Sequence, residues 1–303
     1  MIVSRAHFVG KVALVWLLCL CLLPGCRKPV DGPAKGSGSP ATIQNKGSDT
    51  MVNVAQAWAE AYRSVHPEVN VEVSGGGSGV GIAALLKGSV DIANASRNIK
   101  PQEAAQAHAN TGKEPVEFIV GFDALAVFVH KDNPLEEISI TQLAGIYGER
   151  GTITRWSDIG VKIPNTRHEK IIRISRQSSS GTYEFFREKV LNKKDFKLGS
   201  LDMNGSKEVV ELVSSTPTSI GYSGMGYASP GVKMLKIQKE PGKPAVPPTS
   251  QTTLSKEYPI ARSLQVYTLG QPVGAVKEYI DWMMGPDGQR VLEESGYVPV
   301  LSK

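Results

Sequence analysis

Apolar positions recur along the chain in two rhythms. Met51, Val54, Ala55, Trp58, Tyr62 and Val65 fall at i, i+3, i+4, i+7, i+11 and i+14, the spacing that lines one face of an α-helix. Ile82, Leu85 and Leu86 repeat it and stop before Gly88, a residue suited to the left-handed position after a helix. Tyr183, Phe186 and Val190 predict a third helix, and Val273, Val276, Ile280 and Met283 a fourth that ends at Gly285-Pro286. The other rhythm is strict alternation. Val69, Val71 and Val73 predict a half-buried strand, Lys170 to Ser175 another, and Val116 to Val129 two apolar strands around Gly121-Phe122-Asp123. The aromatic and methionine side chains on these faces are expected in the core. Strand-like runs alternate with helix-like runs, which predicts α/β architecture with mainly parallel sheets. No internal repeat is visible.

The first 26 residues follow neither rhythm. Arg5, His7 and Lys11 precede an uninterrupted apolar run of 12 residues, Val12 to Leu23. A transmembrane helix needs about 20 such residues, so the run reads as the hydrophobic region of a secretory signal. It ends in Leu23-Pro24-Gly25-Cys26, which resembles a bacterial lipobox. Residues 1–25 are therefore expected to be a lipoprotein signal peptide and Cys26 the lipidated (palmitate-bearing) residue of the mature chain. The three cysteines, Cys19, Cys21 and Cys26, all lie in or at the end of this segment. The folded body then has no disulfide framework and no thiol chemistry. Residues 27–41, rich in Gly, Pro and Ser, cannot bury a core and read as a flexible tether. The body begins near Thr42.

Composition adds little: 41% of the 303 residues are hydrophobic and 21% charged, as in ordinary globular proteins. The net charge of +5 is spread without a dense Lys/Arg run, so a mixed solvated surface is expected and nucleic acid is not a partner.

Three places share one local design, a strand, a short turn rich in Ser, Thr or Gly, and a helix. They are Gly47-Ser48-Asp49-Thr50, Ser74-Gly75-Gly76-Gly77-Ser78-Gly79, and Arg176-Gln177-Ser178-Ser179-Ser180-Gly181-Thr182. A helix start leaves backbone N–H groups without intrahelical partners and is partly positive, so an oxyanion is welcome there. Glycine lets the backbone approach closely, hydroxyls add donors, and one arginine adds a planar fork for a tetrahedral anion. Any one of these loops is ordinary capping and punctuation; three together, one carrying an arginine, point to anion binding. Neither G-x-G-x-x-G nor G-x-x-x-x-G-K-[ST] occurs, which disfavours nucleotides.

With Lys46-Gly47-Ser48-Asp49-Thr50, Gly75-Gly76-Gly77-Ser78-Gly79, Asp91-Ile92-Ala93-Asn94-Ala95-Ser96-Arg97, Thr154 through Gly160, Arg176 through Ser180-Gly181-Thr182, Gly221-Tyr222 and Tyr258-Pro259-Ile260, the chain resembles the phosphate-binding proteins of the high-affinity bacterial phosphate ABC transporter, the PstS family. The resemblance runs from about Thr42 to Val300. It implies a class II periplasmic-binding-protein fold, two α/β lobes joined by two crossing strands with the ligand cleft between. Lobe 1 would hold residues 42–125 and 260–303, and lobe 2 residues 126–259. It also implies capture of inorganic phosphate for the permease subunits of an ABC importer, by a monomer held to the cell envelope by its lipid anchor, without cofactor, metal or catalysis.

Carried onto matching positions, the resemblance places Ser48, Asp49, Thr50, Gly77, Ser78, Gly79, Ser96, Arg97, Arg176, Ser180, Gly181 and Thr182 around phosphate, with Arg176 as its positive charge. Some members carry a carboxylate just after the Ala-Ser, which accepts the proton of hydrogen phosphate and so rejects sulfate. Arg97 stands there in this chain. Asp49 is the expected substitute, and Asp91 is expected to be a structural cap. Other readings are a receptor for sulfate, molybdate or tungstate, and a sensor or adhesin of the same fold. A secreted phosphatase is disfavoured: His66, His108, His130 and His168 show no metal-ligand spacing, and the Gly-x-Ser-x-Gly elbow fails at Val80 and Met225.

Overall fold

The computed structural model describes residues 41–300. The expected signal peptide (1–25), Cys26 and the tether up to residue 40 lie outside the described residues. Three strand–helix units open the body: β1 (Ala41–Gly47), α1 (Val52–Val65), β2 (Val69–Ser74), α2 (Ser78–Leu86), β3 (Ile92–Ala95) and α3 (Pro101–Thr111). A long strand, β4 (Pro115–His130), leads to β5 (Glu137–Ser139), α4 (Ile140–Tyr147), β6 (Ile172–Arg176), α5 (Gly181–Lys189), β7 (Leu201–Met203), α6 (Ser206–Ser215), β8 (Ser219–Gly224), β9 (Val232–Met234), β10 (Lys236–Gln238) and α7 (Ser250–Leu254). The chain returns along β11 (Ala261–Leu269) and closes with α8 (Gly274–Met284) and α9 (Pro286–Glu294).

The strands run in the order β2-β1-β3-β11-β4-β8-β6-β7, with β9 also on β4 and a separate β5–β10 pair. The ladders β1–β2, β1–β3, β6–β7 and β6–β8 are parallel. The return strand β11 is antiparallel to both β3 and β4, and β4 is antiparallel to β8 and β9. The sheet is thus mixed rather than mainly parallel, because β11 and β4 carry the chain back and forth between its two halves.

One strand replaces the two expected around Gly121. From Pro115 to Ala124, β4 pairs with β11; from Leu125 to Val129 it pairs with β8. Gly121 does not mark a turn. A Cβ there would come within 2.7 Å of Leu292 Cδ1, and the opposite strand shifts register between Leu264 and Gln265. The glycine marks a bulge and a close approach of α9.

Helices cover both faces of each half. Trp58 and Tyr62 of α1 share an apolar core with Ile280 and Met283 of α8 and Leu292 of α9, while Ile82 and Leu85 of α2 pack with Ala107 of α3 on the other face. Past the crossover, Leu125, Val127 and Val129 of β4 join Leu143, Tyr147 and Phe186; the alternate residues Ala126 and Phe128 join Val209 and Val213 of α6, the two-residue period of a strand buried on both sides. Two expected core positions are exposed. Val65 is 59% exposed at the end of α1, where the His66 ring stacks on Tyr62 at 4.4 Å instead. Val273 is 78% exposed because it precedes α8 rather than lying on its face. Asp91 caps a strand, accepting the Gln44 amide at 2.8 Å.

Trp58 ties α1 to α9, its Nε1 donating to Gly288 O at 2.7 Å from a fully buried ring. Trp58→Ala should cost about 3–5 kcal/mol, as for other large-to-small core changes, and Trp58→Phe less, since Gly288 O keeps its place in the α9 ladder and loses one net hydrogen bond of about 0.5–1.5 kcal/mol. Urea unfolding midpoints check both values; equal losses in the two variants would assign the whole effect to the hydrogen bond.

Candidate anion-binding site

The parallel register of β1, β2 and β3 sends the loops that follow them to one edge of the sheet, and the loop after β6 meets that edge from the other half. Ser48 Oγ donates to Ser96 Oγ at 2.9 Å, and the Ser96 amide donates to Ser78 Oγ at 3.1 Å. Thr50 Oγ1 and Thr182 Oγ1 meet at 2.8 Å although the residues lie on opposite halves. The Gly79 amide donates to Ser179 O at 2.9 Å and Ser179 Oγ donates to Gly76 O at 3.2 Å, which interlocks the second and third loops. Ser180 caps α5, accepting from the Thr182 and Tyr183 amides at 3.1 and 3.4 Å. Two glycines are obligatory here. Gly77 has a positive φ of 96° and a Cβ there would come within 2.5 Å of Ser179 O. A Cβ on Gly181 would come within 2.8 Å of Ser96 Oγ and closer still to Ser78 Oγ.

Three arginines surround these hydroxyls, and each has a carboxylate. Arg176, fully buried, donates through Nη2 to Asp49 Oδ2 at 2.9 Å and to Asn204 O at 2.8 Å, and through Nη1 to Ser206 Oγ at 2.8 Å. Burial lowers the pKa of its guanidinium and Asp49 pulls it back up. Asp49 also accepts the Gly76 amide on Oδ1 at 2.8 Å. Arg97 turns its fork onto Glu103 at 2.7 and 2.8 Å. Burial pushes Glu103 up, but the Arg97 fork and the Lys100 amide outweigh it, so its carboxyl lies below its ordinary value. The third pair, Arg262 and Asp123, was not singled out from the sequence. Arg262 Nε and Nη2 donate to Asp123 Oδ2 at 2.9 and 2.7 Å. Burial pushes the Asp123 carboxyl above its ordinary value, opposed by the Arg262 charge. The available signal was a lone arginine inside an otherwise uncharged strand, Ala261–Leu269, since buried charge is rare unless paired. Tyr227 and Tyr297 were missed as well. Tyr227 Oη donates to Asp49 O at 2.7 Å and Tyr297 Oη donates to Thr50 O, pinning the first loop.

Polar accounting ends with donors to spare. Ser48, Ser78, Ser96, Thr50 and Thr182 bring a proton each, yet the described residues offer only three hydroxyl–hydroxyl contacts among them. The Nε atoms of Arg97 and Arg176 are buried with no partner among the described residues. The nearby carboxylates Asp49, Glu103 and Asp123 are each paired with a guanidinium group, and none of them accepts from these hydroxyls among the described residues. A buried surplus of N–H and O–H groups calls for an acceptor. Arg97 and Arg262 also line a groove of about 1070 Å³ that carries Lys100, Lys189, Lys193 and Lys256, charge that draws anions toward the cleft.

Comparison with known proteins decides the family. A model of the PBP superfamily domain matches residues 32–287. The phosphate-binding protein PstS of Pseudomonas aeruginosa is 32% identical over 279 residues, 89% of this chain and 86% of that one. The chain belongs to the PstS family of phosphate-binding proteins. PstS of Staphylococcus aureus is 30% identical over 308 residues, 99% of this chain and 90% of its own. Among solved structures, a substrate-binding protein assigned to a phosphate ABC transporter of Clostridium perfringens, with bound phosphate, superposes with a TM-score of 0.74 at 26% identity, over 86% of this chain and all of that one. An ABC-type phosphate transport receptor from Vibrio cholerae gives 0.66 at 28% identity, over 84% and 99%. The fold is the PstS one, two α/β lobes joined by crossing strands.

Every residue that the resemblance placed at the ligand lies in this one cluster. Ser48, Thr50, Gly77, Ser78, Gly79, Ser96, Ser180, Gly181 and Thr182 form its hydroxyl and amide wall; Arg176 and Asp49 bridge the two halves on its flank, and Arg97 faces Glu103 beside Gly79. A carboxylate has about four acceptor sites, so Asp49, with one bond on each oxygen from Gly76 and Arg176, retains capacity for a ligand proton. If it takes that proton, Asp49→Asn weakens phosphate more than sulfate in calorimetric titration. A parallel loss for the two anions would leave Asp49 only the bridge to Arg176.

Proposed function

We propose that this protein is an extracytoplasmic, lipid-anchored receptor that captures inorganic phosphate and delivers it to the permease subunits of an ABC importer. The surplus of buried donors between the halves carries the reading. Phosphate supplies acceptors on every side. Inserted between the loops, it takes over hydroxyl protons now shared among Ser48, Ser78, Ser96, Thr50 and Thr182, and hydrogen bonds to a charged group are worth about 1.5–3 kcal/mol each. The named relatives and the phosphate-bound structure support phosphate as that anion.

In this reading residues 42–125 and 260–303 form one lobe and 126–259 the other. Ligand binding favours the closed arrangement, in which Arg176 reaches Asp49 and Tyr227 reaches the first loop, because only then do donors from both lobes meet one anion. Cys26 anchors the chain by lipid, and residues 27–41 give the lobes reach above the membrane. The protein acts as a monomer and makes no covalent bond to its ligand. The three guanidinium–carboxylate pairs offset one another's charge, so recognition rests on oriented dipoles and on the share of positive charge that each fork retains.

Titration of residues 27–303 with phosphate, sulfate and molybdate tests the reading: one equivalent of phosphate should bind, and bind tightest. Equal affinities for the three anions, or no binding of phosphate, would reject it. Arg176→Ala should weaken phosphate by about 2–5 kcal/mol, the range for breaking a buried hydrogen-bonded charge pair; an unchanged affinity by the same titration would remove Arg176 from the site.

A further inference from the structure

Thr50 and Thr182 face one another across the cleft with 2.8 Å between hydroxyl oxygens, and one guanidinium reaches both. Arg262 Nη2 donates to Thr50 Oγ1 at 3.3 Å and Nη1 donates to Thr182 Oγ1 at 3.0 Å. Guanidinium carries donors only, so both threonine oxygens are acceptors toward Arg262. A hydroxyl has one proton. The threonine–threonine bond consumes one of the two, and the other has no acceptor among the described residues. With Thr50 1% and Thr182 0% exposed, bulk water does not supply one.

Arg262 has no freedom to turn away. Its Nε and Nη2 are held by Asp123 Oδ2, its Nη1 also donates to Ser96 O at 3.2 Å, and the Phe185 ring lies 5.6 Å from its guanidinium carbon. Asp123 is held in turn by the Met225 amide at 2.9 Å. All five guanidinium N–H groups are thereby assigned. Their owner sits on β11 and its carboxylate on β4, the two strands that pass between the halves.

We propose that Arg262 is a positioning residue of the anion site, which holds the Thr50 and Thr182 oxygens as acceptors and so turns both hydroxyl protons onto the ligand. The inference rests on the receptor reading above. Once an anion parts the threonines, each donates to it, one from each lobe, while Arg262 keeps one of the two lone pairs on each threonine oxygen. Together they favour ligand oxygens that carry no proton.

A double-mutant cycle tests this, read as the affinity for inorganic phosphate by calorimetry with the Tm of each variant recorded. Thr182→Val should weaken phosphate about 10-fold or more, the loss of one charge-assisted donor, and Thr182→Ser, which restores the hydroxyl, should recover most of that loss. In an Arg262→Lys background, where one ammonium cannot serve Asp123 and both threonines, Thr182→Val should cost less than about 3-fold, a coupling expected only between interacting groups. If Arg262→Lys lowers Tm too far to be titrated, the neutral pair Asp123→Asn with Arg262→Gln supplies the background. The same factor for Thr182→Val in both backgrounds overturns the inference and leaves Arg262 a structural ion pair. Absence of any phosphate binding by the unaltered protein would sink the receptor reading itself, a result distinct from binding with an additive cycle.

Discussion

Taking charge out of water is costly unless it is paired and hydrogen-bonded on the spot, and that constraint organises the cleft. Asp123 and Arg262 have side chains 0% and 2% exposed, and each of the other two arginines at the cleft is likewise matched to an acid. These pairs fix the positions of the arginines, and through them the hydroxyls. Arg262 reaches Thr50, Thr182 and the Ser96 carbonyl; Arg176 reaches the aspartate between Ser48 and Thr50. Asp123–Arg262 and Arg97–Glu103 each join residues of the same half, whereas Arg176–Asp49 spans the two, so the first two pairs hold their hydroxyl and amide neighbours in place however the halves stand.

Local periodicity carried much of the fold. The stripe from Val54 to Tyr62 is buried as its spacing demands, and the alternation of Val69 to Val73 became β2. What failed was non-local. Gly121 looks like a turn to a reader of neighbouring residues, because the contact that demands a glycine comes from Leu292, far along the chain. Likewise the loops of the site were legible from their own composition, since a strand, a Ser/Thr/Gly turn and a helix are contiguous. Arg176 was legible for the same reason, but its partner Asp49 lies 127 residues away, and no local pattern links the two. Arg262 was hidden because a single arginine in a strand has no period, and its meaning depends on Asp123, 139 residues earlier.

The departure at Arg97 follows the same logic. Glu103 at the first turn of α3 draws both Nη atoms, Nη1 also donates to Asn98 O, and Nε has no partner among the described residues. Its charge is thereby moderated without being removed. A guanidinium thus stands in the place where some members of the family carry a carboxylate, with one buried N–H unspent.

β4 runs unbroken for 16 residues from one half of the molecule to the other, with its backbone in ladders along its length. A joint of that kind works like a leaf spring. On this crossing a parting of the halves is taken up as a small twist over many residues, while the return crossing at residues 258–260 is a turn.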